Sequence, residues 1–501
     1  MRPILLAVLS LALARCGGDE GAPWRQLAAK CATPRSGTDP FTNKGYPDQK
    51  GSLDDEKKWL RAWTDDTYLW YSEVPAVDPA GYPTAHAYFD ALKTPAVTAS
   101  GKPKDQFHFT YDTAQWEQLS QASVEVGYGI TLAVLPPPPP HTTPRTWIIA
   151  YIEPGSPGDT KVARGAQIMT VDGADLVNAT DAASINTLNA GLFPATVGES
   201  HTFDVLDYGM TTTRQVTLIS ASVTSAPVPP TLVHTITTTT GPVGYILFND
   251  HTQPAEKGLS DAVNQLKAAS VTDLVLDIRY NGGGYLDIAG ELAYMIAGAG
   301  KTAGRTFERQ QFNDKHPMFD PVTGQAIAPA PFFNTALGFS LNPGTPLPSL
   351  GLSRVYVLTG RGTCSASEAI LNGLAGVNVQ VFQIGATTCG KPYGFYPADN
   401  CGTTYFSIQF RGVNAKGYGD YADGFTPGAT TTAGFPGCSV SDDFGHALGD
   451  ATEARLATAL SYRASGSCTG AAMTRTLVSG GLRGDGEILK PIWRQNRIFR
   501  R

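Results

Sequence analysis

The stretch Leu274-Val275-Leu276-Asp277-Ile278-Arg279-Tyr280-Asn281-Gly282-Gly283-Gly284 decides the fold. Its first half, within Asp273–Arg279, is a short apolar run bounded by turn residues, which reads as a buried strand. Its second half places three glycines in a row at the strand end. Without a Cβ, their backbone N–H groups can approach a reacting oxygen closely. Helical spacing follows over Tyr285–Ala297, and the strand Gly244–Phe248 with a helix from Glu256 to Ala269 precedes it. Beyond a long, weakly patterned insertion, strand Arg354–Leu358, helix Ser365–Leu374 and strand Val379–Ile384 repeat the unit. Alternating strands and helices predict a layered α/β core, closed by Tyr405–Phe410 and a helix over Ala451–Tyr462.

Outward from this core the pattern changes. Residues 122–223 hold short apolar runs, Ile130–Leu135, Trp147–Ile152, Gln167–Val171, Phe203–Leu206 and Gln215–Ile219, separated by turn residues, and predict a small β-rich module. Within it Gly127-Tyr128-Gly129-Ile130 can converge backbone N–H groups on an anion. Residues 51–121 turn helical: Asp54-Asp55-Glu56 opens a run carrying Trp59, Leu60, Trp63, Tyr68, Leu69 and Tyr71, and Tyr88, Phe89 and Leu92 mark another. Those aromatics are most simply core positions. A chain of 501 residues at roughly 150 residues per domain fits three such units.

Composition narrows the function. With 38 Lys+Arg against 44 Asp+Glu the net charge is −6, so no cation excess exists to neutralise phosphates and a general nucleic-acid binder is excluded. Charged residues are 16%, below the roughly 25% of soluble domains, so the chain is weakly charged. The 54 Gly and 36 Pro together fall short of low-complexity disorder.

Arg2 precedes the apolar run Ile4–Ala14, which fits an export signal over residues 1–16 and is too short to span a bilayer. Two endings compete. Ala12-Leu13-Ala14 is a small-residue cleavage site, whereas Leu13-Ala14-Arg15-Cys16 resembles a lipobox that would lipidate Cys16, with Arg15 departing from the usual small residue. Either ending exports the protein. Residues 17–50 read as a linker or tether, and the arginine-bearing residues 471–501 as an appended, solvated tail. Without Cys16, six of the seven cysteines remain, an even set that suggests disulfides in 15 possible connectivities. The local pairings Cys389–Cys401 and Cys438–Cys468 come first. No C-x-x-C or H-E-x-x-H occurs, so a zinc site has no sequence support.

Chemistry gathers at Thr363-Cys364-Ser365-Ala366-Ser367-Glu368. Taken alone, Ser365-x-x-Glu368 is a helix capping box. Two distant features add weight to Ser365 as a nucleophile. Lys391, in Gly390-Lys391-Pro392, follows the next strand in sparsely charged surroundings, where desolvation can lower a lysine pKa toward the range of a general base. Gly282–Gly284 can supply an oxyanion donor.

With these pieces in place the chain resembles the C-terminal-processing (tail-specific) serine peptidases of family S41. The resemblance spans about residues 50–465 and rests on Leu274–Gly284, Thr363–Glu368 and Gly390-Lys391, in that order behind the β-rich module. Within that module Val162–Gly173 resembles the turn, strand and turn of a PDZ domain, whose glycine-containing loop, here Gly127–Ile130, grips a peptide carboxylate while the peptide adds to the sheet edge. The resemblance implies a crotonase/ClpP-like core over 224–470 preceded by a PDZ-like domain and a small helical domain. It implies Ser365 as nucleophile, Lys391 as general base, and the N–H groups of Gly283 and Ala366 as oxyanion hole. It gives Ser367 and Glu368 a helix-positioning role, and implies no metal or organic cofactor.

The expected activity is an exported, periplasmic serine endopeptidase acting on proteins with free C-termini or unfolded segments, membrane-attached only through a lipid at Cys16. Two features depart from the family pattern. Phe395 stands where many members place a glutamine that orients the lysine, leaving Gln409 or a backbone carbonyl for that task, and Pro392 replaces a small residue. A disulfide at Cys364 or Cys389 would staple the active-site loops. His251 is the alternative base, and no G-x-S-x-G elbow exists. A peptide-binding scaffold with an impaired dyad and a Ser365-dependent esterase are the competing classes.

Overall fold

The computed structural model describes residues 22–40, 42–122, 124–135, 143–429, 434–468, 486–489 and 497–499. The signal, Cys16 and Pro136–Pro140 lie outside them.

The strand Asp273–Asp277 sits near the centre of a six-stranded sheet ordered Val233–Ile236, Val243–Leu247, Asp273–Asp277, Arg354–Thr359, Gln380–Gly385 and Gly437–Ser439. Only the first pairing is antiparallel. All five residues of Asp273–Asp277 are buried, because both faces of the sheet are covered. Leu274 and Leu276 face helices Ala255–Ala268, Leu286–Ala297 and Ala366–Gly376, while Val275 faces Tyr245, Tyr356 and Leu456 of helix Ala454–Ser465. That parallel arrangement brings the loops after three neighbouring strands to one edge.

The β-rich module is an antiparallel sheet ordered Arg214–Ile219, Ser200–Leu206, Gln167–Val171, Thr146–Ile152 and Ile130–Leu135. Val216 and Leu218 point inward and Thr217 and Ile219 outward, the alternation of a sheet with one face packed. Leu188 and Leu192 of helix Ala182–Leu192 cover the inner face. Ala174–Asp175 pairs with Gln167–Val171 off this path, and beyond Ile130–Leu135 the order continues with Glu487–Leu489, so the tail read as a solvated end contributes a strand to a seven-stranded sheet.

Helix Leu53–Thr67 starts with a reciprocal cap. Ser52 Oγ accepts the Asp55 N–H at 3.2 Å and the Asp55 carboxylate accepts the Ser52 N–H at 2.9 Å. Trp59 and Trp63, one turn apart, stack at 5.4 Å and bury themselves with Phe89 and Tyr405. Strand Phe109–Asp112 then pairs with Thr403–Phe406, sewing this domain to the core. Within the 17–50 stretch read as a tether, the described residues 22–40 and 42–50 are tied down: Lys30–Cys31 pairs with Gln49–Lys50, Arg35 bridges Asp48 at 2.8 Å, and Cys31 is bonded to Cys401.

The disulfides correct one expected pairing. Cys438–Cys468 forms, but Cys389 joins Cys364 and Cys401 joins Cys31, so Cys389–Cys401 does not exist. Cys389 lies beside the loop before helix Ala366–Gly376, whereas Cys401 sits in the turn between strands Ala398–Asn400 and Thr403–Phe406, facing the N-terminal segment. Tyr405–Phe410 likewise divides into two strands, Thr403–Phe406 and Phe410–Val413.

Arg279 is fully buried and donates to Asp277 at 3.0 Å, Asp442 at 2.9 Å and Glu453 at 2.8 Å. Arg164 of the β-rich module reaches the same Asp442 at 2.8 Å. Burial alone would raise the Asp442 carboxyl, but Arg164, Arg455 and Arg279 hold it well below the usual range.

The insertion is pinned by a carboxylate. Glu256 accepts the N–H groups of Leu337, Gly338, Ser340 and Leu341 at 2.6–2.9 Å. These donors hold its pKa down against burial. Glu291 accepts the Leu337 N–H at 3.0 Å, and burial, then the Glu256 charge, pushes it up to about 9. Unfolded, Glu291 titrates near 4.5. The folded chain therefore keeps a proton that the unfolded chain has lost, and stability falls as pH rises from 4.5 to about 9. Glu291→Gln, neutral throughout, should flatten that slope in urea melts at pH 5, 7 and 9; an unchanged slope would reject the assignment.

Candidate active site

The loops after Asp273–Asp277, Arg354–Thr359 and Gln380–Gly385 leave the carboxyl ends of parallel neighbours, where open α/β sheets place their sites. In the first loop Asn281 is the organiser. Its Oδ1 accepts the Gly283 N–H and the His251 Nδ1–H, both at 3.0 Å, and its Nδ2 donates to the Phe248 carbonyl at 3.0 Å. Its backbone carbonyl accepts the Cys364 N–H at 3.1 Å and the Ser367 hydroxyl at 3.0 Å. Gly283 has φ +99°, a conformation that suits glycine.

The second loop carries Ser365 with φ +60° and ψ −120°. A non-glycine residue held there costs about 1–3 kcal/mol and persists only when its surroundings impose it. Ser365 and Glu368 sit in the capping-box arrangement, yet the Ser365 Oγ makes no hydrogen bond of good geometry among the described residues. Ala366 opens the helix, where first-turn N–H groups have no intrahelical acceptor.

The third loop carries Lys391, fully buried, its Nζ 4.1 Å from the centroid of Phe395 and 4.6 Å from that of Phe107. Phe395, which departs from the family pattern, thus forms part of the lysine's cradle. Gln409 is directed elsewhere: its Oε1 accepts the Tyr396 N–H at 2.7 Å and its Nε2 donates to Thr67 at 3.4 Å.

Glu368 joins the loops. One oxygen accepts the N–H groups of Ser365 at 3.0 Å and Lys391 at 2.8 Å; the other accepts the Gly390 N–H at 2.9 Å and the Thr388 hydroxyl. Burial raises its pKa, and those four donors oppose the rise. The Cys364–Cys389 disulfide and the Cys389 N–H to Thr363 carbonyl bond, 3.0 Å, fasten the same two loops. Cys364, Cys389 and Glu368 are close enough together to suit a cation, but the two sulfurs are bonded to each other.

Residues 242–394 match Peptidase family S41, and residues 55–109 match the Peptidase S41 N-terminal domain. The chain carries a family S41 peptidase domain. A Bacteroides fragilis NCTC 9343 protein described as an S41-type protease by resemblance has a similar fold, with 21% identity over 84% of this chain and 98% of that one and a TM-score of 0.60. The photosystem II D1 C-terminal processing protease compares at 18% identity, 77% and 94% coverage and a TM-score of 0.44. No curated protein matches the chain.

Within the S41 domain lie Gly283, Ser365, Ala366 and Lys391, and Phe107 comes from the S41 N-terminal domain. Sequence reasoning missed Asn281, whose only signal was its place before the glycines, and Phe107, which reads as an ordinary core aromatic. Gly127, Tyr128, Gly129 and Ile130 belong to the β-rich module. Tyr128 donates its hydroxyl to the Gly191 carbonyl at 2.9 Å. Gly129 has φ +71°, and a Cβ there would lie 2.2 Å from that of Ser156. Ile130 opens the strand Ile130–Leu135.

Removing the Glu368 carboxylate leaves buried N–H groups of Ser365, Gly390 and Lys391 without their acceptor. Glu368→Ala should cost on the order of 3 kcal/mol or more in denaturant melts. Glu368→Gln, which turns an N–H₂ toward those donors, should lower peptidase kcat by about 100-fold through misplacement. A variant with unchanged kcat would show that the loops hold each other without it.

Proposed function

We propose that the protein is an exported serine endopeptidase working through a Ser365–Lys391 dyad. The observation that carries this reading is the single Glu368 oxygen bound to the backbone N–H groups of both residues, beside a Ser365 held at positive φ with an unengaged hydroxyl. Lys391 Nζ takes the proton of Ser365 Oγ as the oxygen attacks the scissile carbonyl. The N–H groups of Gly283 and Ala366 receive the oxyanion. The lysine ammonium then protonates the leaving amine, and water cleaves the acyl-enzyme. In this state the Gly283 N–H donates to Asn281, so the substrate oxygen must displace that amide to complete the hole.

The β-rich module acts as a PDZ-like receptor that takes free C-terminal or unfolded segments at its edge strand. Protein and peptide chains are the substrates. Three disulfides suit an oxidising compartment, in keeping with a periplasmic protein anchored by a lipid at Cys16.

Digestion of an unfolded protein with an apolar C-terminus tests the reading. Wild type should cleave it, and Ser365→Ala and Lys391→Ala should each abolish cleavage while keeping the fold. Binding without cleavage by wild type would make the protein a scaffold. Full activity in Lys391→Ala would remove the dyad, and turnover of small esters alone would make it an esterase.

A further inference from the structure

We propose that the tail strands Glu487–Leu489 and Arg497–Phe499 are resident ligands of the enzyme's own peptide track, blocking it in cis; this rests on the peptidase reading above. Glu487–Leu489 pairs antiparallel with Ile130–Leu135, Glu487 opposite Val134, Ile488 opposite Ala133 and Leu489 opposite Leu132. The other edge of that strand is held by Thr146–Ile152. The segment therefore takes the edge at which a peptide would add as a strand, and it runs toward Ile130 and the Gly127–Gly129 turn.

The same segment reaches the chemistry. Ile488 lies against Gly362, three residues before Ser365, where a methyl group on Gly362 would sit 3.5 Å from Ile488 Cγ1. Leu489 is half-buried against the core of the β-rich module. Arg497–Phe499 then pairs in parallel with Gly283–Tyr285, Arg497 opposite Gly283. It also lies beside Tyr393–Gly394, two residues beyond Lys391.

The opposite edge of Gly283–Tyr285 is occupied by His251, which bridges Gly284 and accepts the Tyr285 N–H at 2.9 Å. The tail thus covers the receptor edge through Glu487–Leu489 and the edge of the oxyanion turn through Arg497–Phe499. It departs from a fixed point, because Cys468 is bonded to Cys438 of the core sheet. A ligand tethered in this way faces its site at an effective concentration on the order of millimolar, so a free substrate chain competes at a disadvantage.

Proline offers no N–H to a ladder, so Ile488→Pro with Ile498→Pro in the full chain should release both pairings. The expected result is a rise of about tenfold in kcat/KM on an unfolded protein, reversed competitively by a synthetic peptide of residues 483–501. Hydrogen exchange gives an independent reading: amides 130–135 should be protected in the wild type and lose protection in the double variant. A fluorescent 483–501 peptide should bind Ser365→Ala combined with the two prolines, and that readout needs no catalysis. If this binding appears while no variant cleaves any protein, the peptidase reading fails and the resident ligand stands. Unchanged kcat/KM together with no peptide binding would overturn the proposal. Loss of the segment from wild type but not from Ser365→Ala, seen by intact mass, would also overturn it, since the segment would then be a substrate that is cut.

Discussion

The catalytic edge depends on one buried carboxylate. Taking Glu368 out of water costs several kcal/mol, and only a full set of donors offsets that. Ser365, Thr388, Gly390 and Lys391 supply the set, and in doing so become neighbours. The same geometry leaves the Ser365 hydroxyl unengaged. A spacing that reads as a helix cap therefore carries a second role here: the capping-box arrangement forms, the carboxylate holds both loops, and the hydroxyl makes no well-formed hydrogen bond.

Other constraints serve this junction. The parallel sheet aims three loops at one edge, Asn281 ties the glycine turn to the helix that follows Ser365, and the Cys364–Cys389 disulfide fastens two of the loops covalently. Phe107 brings the N-terminal domain into the site by covering the lysine. Arg279 and Arg164 converge on Asp442, so the β-rich module is held by charge immediately behind the glycine turn. Breaking such a buried pair strands a charge, which makes the arrangement stiff.

How much of this could be read from the chain depends on range. The strand Asp273–Asp277 and the helix Leu53–Thr67 are legible because burial on two faces, or on one, leaves a local pattern. Ser365 and Lys391 were legible as a motif, but the bond between their loops was not, since Glu368 reads locally as a cap residue. By sequence Cys389 pairs with the nearer Cys401, whereas folding sets it beside Cys364. Phe395 read as a defect because its role depends on Phe107, far away in sequence. The tail's strands were invisible: three-residue pairings at two distant edges carry no periodicity of their own.

If Glu368 holds Ser365 and Lys391 as one unit, a double-mutant cycle will show it. The measurement is the rate at which a fluorophosphonate labels Ser365 in wild type, Glu368→Gln, Lys391→Ala and the combined variant. Strong non-additivity is expected, with the combined variant reacting no more slowly than Lys391→Ala alone. Losses that simply multiply would show that the carboxylate and the lysine act independently, and would contradict that coupling.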